Sequence, residues 1–170
     1  MRSLAIFTLL VFVLVGCGYH VPKAGDPWAG QGGQTLHVKL FANQTLEPYA
    51  DSAVTDEVSA QLSRSRLFEL SENHDGADLF LDGAVVAFSS QALAYDTTDR
   101  ISEYSASMTV RARLVRRSDG VVLWQDEFAR SETYSAIGNK SARQDAESLA
   151  ARVVARRIAE DLVARLQTGF

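Results

Sequence analysis

Strict two-residue alternation constrains this chain more than any other feature. From Glu103 to Leu114 the even positions are Tyr104, Ala106, Met108, Val110, Ala112 and Leu114. The odd ones are Glu103, Ser105, Ser107, Thr109, Arg111 and Arg113. Successive side chains of a strand point to opposite faces, so this segment is a strand with one buried and one solvated face. A second run, Val121 to about Thr133, returns after Ser118-Asp119-Gly120. A two-residue Asp-Gly loop would set Leu114 opposite Gln125 and Ala112 opposite Glu127, placing polar groups on the apolar face. A three-residue Ser-Asp-Gly loop, with Gly120 left-handed, pairs Leu114 with Trp124, Val110 with Phe128 and Tyr104 with Tyr134. On the polar side it sets Arg111 against Glu127. A one-residue slip turns every side chain over, so the second arrangement is expected. It leaves Asp126 and Arg130 on the apolar face, with no partner visible in the sequence.

The rest of the chain supplies cover for that face. Thr35 to Phe41 alternates as well, with Leu36, Val38 and Leu40 on one side and His37, Lys39 and Phe41 on the other. A helix is expected from near Asp51 or Ser52, both good N-caps. Its Val54, Val58 and Leu62 share a face, and Asp56 and Glu57 early with Arg64 and Arg66 late suit the helix dipole. Leu67 to Leu70 offers a short strand. Ala77 to Phe88 reads as a central strand, bulged at Gly83. Ser141 to Leu166 is a long helix with an apolar stripe of Leu149, Val153, Val154, Ile158, Leu162 and Leu166. Arg152, Arg156 and Glu160 lie opposite, and Gly169 is its terminator. The order β-α-β-β-β-α predicts an α+β two-layer sandwich, two helices packed on one face of a mostly antiparallel four-stranded sheet. Nothing in the chain is left to cover the other face, with its Ser105, Ser107, Thr109, Arg111 and Arg113.

The 170-residue chain contains a single cysteine, Cys17, which excludes an internal disulfide and a Cys-rich zinc site. A net charge of −4 argues against a general nucleic-acid binder. Met1-Arg2-Ser3 and a run from Leu4 to Val15 precede Cys17; twelve residues make a helix of roughly 18 Å, too short for a bilayer core of ~30 Å. A positive start and a short apolar run mark an export signal. The ending Leu14-Val15-Gly16-Cys17 resembles the lipobox of bacterial lipoproteins, which implies a diacylglycerol on Cys17. Gly18, in place of aspartate, implies sorting to the outer membrane. The expected organisation is a signal peptide over 1–16, a lipidated cysteine and flexible tether over 17–34, and one domain over 35–170. Several acyl chains, at roughly 0.8 kcal/mol per buried methylene, would hold such a protein stably.

No catalytic constellation emerges. A nucleophile elbow, a zincin helix and a P-loop are all missing, and His20, His37 and His74 lack metal-ligand spacing. The Gly30-Gln31-Gly32-Gly33 run has no strand before it and no helix after it, so it reads as linker. Neither an enzyme nor a cofactor is expected.

The residues also carry a family pattern. Cys17-Gly18-Tyr19-His20, Phe41-x-Asn43-x-Thr45-x-Glu47-Pro48 and Ala77-Asp78-Leu79-x-Leu81-x-Gly83 are arranged as in the LptE family. So are Glu103-Tyr104 with Met108-Thr109-Val110, the Gly120–Trp124 turn and a closing helix after Lys140. This resemblance to lipopolysaccharide-assembly lipoproteins implies a β-α-β-β-β-α sandwich that plugs the lumen of the outer-membrane β-barrel LptD, helps assemble it and binds lipopolysaccharide. A barrel lumen is polar, which would account for the uncovered sheet face. The location of the family's ligand-binding basic residues is similar to that of Arg100, before the long strand, and Lys140, at the start of the last helix; Arg113 is a further candidate. The alternative is an independent envelope lipoprotein that binds peptidoglycan or another envelope component.

Overall fold

The computed structural model describes residues 33–65, 67–95, 97, 101–135 and 139–168. The expected signal peptide, Cys17, nearly all of the tether, Arg66, Arg100 and Gly169 lie outside the described residues. In chain order the elements are β1 (Thr35–Val38), β2 (Ala42–Asn43), α1 (Ala50–Ser65) and β3 (Glu69–Leu70). A single 3-10 turn (His74–Gly76) leads into β4 (Leu79–Tyr95), β5 (Ile101–Arg116), β6 (Val122–Ser135) and α2 (Lys140–Thr168). The sheet order is β3-β1-β4-β5-β6, with β2 also beside β4. The long pairs β4–β5 and β5–β6 are antiparallel, and the short strands add parallel pairing at one edge. The α+β sandwich is therefore as expected, with six strands among the described residues rather than four because β2 and β3 each contribute two residues.

The hairpin register holds from Leu114–Trp124 through Arg111–Glu127 and Tyr104–Tyr134 to Glu103–Ser135. The loop reaches it differently. The Arg116 N–H donates to the Val121 carbonyl, and the Gly120 N–H to that of Arg116, each at 2.9 Å, which closes a four-residue turn over 117–120. Gly120 takes the left-handed φ of 71° that the turn needs. Val115 then pairs with Val122 while Leu114 pairs with Trp124, so Leu123 is a bulge. Four loop residues plus one bulged residue give the register of the simpler loop.

At the other edge an extra residue reverses an expectation. Val38 pairs with Leu81 and Ala42 with Ala84, so four steps along one strand match three along β4. The alternation flips between them: Leu40 is 65% exposed and Phe41 is buried. Gly83 is the reason that Phe41 fits. A Cβ there would lie 2.5 Å from Phe41 Cε1 and 2.2 Å from the Arg111 carbonyl oxygen. Gly83 thus permits close approach, whereas the register shifts of β4 against β5 fall at Val86 and around Leu93. The entry to β1 is fastened by Asp78, whose carboxylate accepts from the Thr35 N–H (3.0 Å) and hydroxyl (2.9 Å). Those bonds hold its carboxyl below the usual carboxylate range.

Both helices cover the inward face of the sheet. Val54, Val58 and Leu62 of α1 are fully buried, as their spacing of four requires. The helix begins at Ala50, so Asp51 and Ser52 lie in its first turn rather than at the cap; Tyr49, at φ 62°, offers its carbonyl to the Ala53 N–H at 3.0 Å. In α2 the buried face includes Ala150, Ala151, Ala155 and Ala159 with Val154, Ile158, Leu162 and Leu166, while Leu149 is 65% exposed. Alanines let the helix sit close to both α1 and the sheet.

The helix α2 also resolves the charges on the apolar face. Arg165 forms an ion pair with Asp126 (3.2 Å), Arg130 with Asp161 (2.7 Å) and Arg157 with Glu132 (2.7 Å). Positions 157, 161 and 165 recur every four residues and form one ridge of α2 along β6. Arg156 instead reaches Glu57 of α1 at 3.4 Å.

Candidate functional site

The uncovered sheet face is built by the outward residues of β4, β5 and β6. Its registers make rows across three strands: Gln91-Ser105-Thr133, Ser89-Ser107-Ser131 and Ala87-Thr109-Ala129 towards the β4–β5 connection. Farther along come Ala84-Arg111-Glu127 and Asp82-Arg113-Gln125. Half the face is thus small and uncharged. The other half carries paired charge, Arg111–Glu127 at 2.9 Å and Arg113–Asp82 at 2.6 Å. Its far corner is aromatic and basic: His74 stacks on Phe80 at 4.5 Å, with Lys39 Nζ 4.3 Å from the same ring and His37 5.9 Å from His74. Among the described residues no group of three or more His, Cys, Asp and Glu could hold a metal ion.

Of the expected site residues, Cys17 and Arg100 lie outside the described residues. Lys140 is the first residue of α2 and is exposed. Asn139 caps that helix, its Oδ1 accepting the Ala142 N–H at 2.9 Å. The first turn holds no acidic residue, although the positive end of the helix dipole favours one. Instead it carries Lys140 and Arg143, and Arg143 donates to the Tyr104 hydroxyl at 3.4 Å. Arg143 is the residue that sequence reasoning missed; its signal was a second cation three positions after Lys140 with no acid between. Arg113 is elsewhere, nine residues along β5 from Tyr104, roughly 30 Å at ~3.3 Å per residue. Hydrogen bonding to Asp82 pushes its guanidinium further into the protonated form and uses two of its donors. The structure therefore does not bring Arg113 together with Lys140.

The family model described as LptE, lipopolysaccharide-assembly, matches residues 33–166. The chain belongs to the LptE family. LptE proteins are a non-catalytic family of envelope lipoproteins. Solved structures share the fold: a Xanthomonas campestris protein (TM-score 0.57, 18% identity, covering 81% of this chain and 86% of that one) and rare lipoprotein B of Shewanella oneidensis (0.53, 11%, 79% and 94%). A minor lipoprotein of Acinetobacter baumannii is similar as well (0.51, 14%, 79% and 91%). At these identities the likeness concerns fold. No curated protein sequence matches the chain. Among the described residues no helix is long and apolar enough to cross a membrane.

Proposed function

We propose that this LptE-family chain is the lipoprotein subunit of a lipopolysaccharide translocon, held in the outer membrane by lipid on Cys17 and seated as a plug within an LptD-like β-barrel. The single observation that carries this reading is the uncovered sheet face. It is polar over three strands, and its serine, threonine and alanine rows allow close approach of another polar wall such as a barrel lumen. The end of the domain that carries Lys140 and Arg143 serves lipopolysaccharide. Two cations at a helix N-terminus suit a polyanion, because dipole and side chains add. By the family resemblance Arg100, next to β5 in sequence, is a further cation for the ligand, and Arg113 contributes to the sheet face.

Affinity purification from outer membranes tests the first part: a large β-barrel should accompany the chain and shield it from protease. Recovery of a free monomer from intact membranes would sink the reading. For the ligand, Arg100→Glu combined with Lys140→Glu should weaken lipopolysaccharide binding and leave barrel association intact. Unchanged binding would reject that assignment.

A further inference from the structure

The Asn43-x-Thr45-x-Glu47-Pro48 motif builds a loop that the plug role leaves unused. Asn43 Oδ1 accepts from the Thr45 N–H (2.9 Å) and hydroxyl (2.8 Å), and Asn43 Nδ2 donates to the Glu47 carbonyl (2.7 Å). The Glu47 N–H in turn donates to the Thr45 hydroxyl at 3.1 Å. These bonds fix the loop in a form that holds Leu46 fully exposed, where an apolar side chain gains nothing within the isolated chain.

Beside this loop runs an unpaired strand edge. That edge of β4 meets β1 from Leu79 to Leu81 and β2 at Ala84 and Val85. The last bond is the Gln44 N–H to the Val85 carbonyl at 3.0 Å. From Val86 to Tyr95 no strand among the described residues lies against it. An open cleft of about 430 Å³ separates loop from strand, with Leu46 and Glu47 on one side, Val86 to Ser90 on the other and Glu147 of α2 at its rim. Among the described residues neither carboxylate has an ion-pair partner. Burial, and then the nearby Glu147 charge, raise the pKa of Glu47.

We propose that this cleft receives an extended polypeptide segment of a partner protein, which adds as a strand to the free edge of β4 and sets a lysine or arginine between Glu47 and Glu147. The backbone edge supplies the affinity common to strand addition, Leu46 meets an apolar side chain of the incoming strand, and the two carboxylates select a cation. A second copy of this chain paired along the same edge would bring no cation, since Val86 to Tyr95 carries neither lysine nor arginine. Lipid would leave the edge N–H and carbonyl groups without partners. The inference does not rest on the plug role.

The test uses the purified full chain and two fluorescent ten-residue peptides of alternating threonine and valine, one with a central lysine and one with a central glutamate. Fluorescence anisotropy should show the lysine peptide binding about tenfold or more tightly than the glutamate peptide. Hydrogen exchange should then slow at those alternate amides between Ala87 and Ala92 that point away from β5. Glu47→Gln with Glu147→Gln, near-isosteric changes whose folding is checked by circular dichroism, should bring the affinity ratio close to one. Equal binding of the two peptides would overturn the proposal, as would protection confined to another part of the chain. So would a dimer in sedimentation that protects the same amides without any peptide.

Discussion

Two single residues show how local chemistry sets this fold against its function. Gly83 lies under the Phe41 ring and against the Arg111 backbone. Gly83→Ala should therefore destabilise the chain by about 1–3 kcal/mol in urea denaturation. Adding Phe41→Leu should fail to restore it, because the tighter clash is with a backbone oxygen. Recovery in the double variant would show that only the ring was in the way. Glu47 works in the opposite sense. Its raised pKa means that ionisation is harder in the folded chain than in the unfolded one, first through burial and then through Glu147. The folded state binds the proton more tightly, so the penalty is full above the folded pKa and disappears below the unfolded value of about 4.3. Glu47→Gln should accordingly raise the urea midpoint at pH 7 and match the parent chain below pH ~4. A difference that persists in acid would assign the effect to something other than charge. A carboxylate kept at a cost to stability is the pattern expected of a binding group.

Among the elements, the pairing of α2 with β6 is the most instructive. The strand β6 is the long outer edge of the sheet, and its inward Asp126, Arg130 and Glu132 are each bonded to the ridge Arg165, Asp161 and Arg157. Their partly exposed pairs each contribute on the order of 0–1 kcal/mol. Their larger effect is on association, since inward charges discourage a foreign strand from continuing the sheet. Replacing all three with valine should leave urea stability within about 1 kcal/mol per lost pair, yet produce dimers or larger species in sedimentation at the concentrations where the parent is monomeric. A monomeric triple variant would show that the charges do not guard this edge. These pairs also mark the limit of what periodicity can reveal. Alternation was enough to read the register of the β5–β6 hairpin, because a slip would expose every apolar side chain. It could not say that Asp126 and Arg130 face a helix more than thirty residues away. Nor could it detect the extra residue that turns Phe41 inward, since Leu40 and Phe41 are equally apolar. The buried alanines of α2 went unread for a related reason: small side chains give a weak stripe, so the exposed Leu149 stood in for them. At the candidate site Lys140 was legible from the family pattern, whereas Arg143 gained meaning only from its bond to Tyr104. The cleft beside Glu47 depends on where β2 stops, which no local pattern encodes.

At the scale of the whole molecule, function is divided between the two faces and two ends of one sheet. The inner face makes the core with both helices, and the outer one carries polar and small side chains from Asp82 to Thr133, with Phe80 at its far corner. Lys140 and Arg143 stand in the first turn of α2, and paired charge fills the opposite half of the outer face. The mixed topology also orders assembly. Short connections join β4, β5 and β6, while the bonds between Thr35 and Asp78 close a separation of 43 residues. Loop-closure entropy delays such a contact relative to hairpins. Pulse-labelled hydrogen exchange during refolding should find the amides of β4 to β6 protected before that of Thr35; simultaneous protection would refute this sequence of events. Read in time rather than in space, β1 locks after the hairpins it flanks. The hairpins can form while the entry segment is still free to move, and fastening Thr35 to Asp78 joins the longer closures, such as Arg156 of α2 on Glu57 of α1, that follow them.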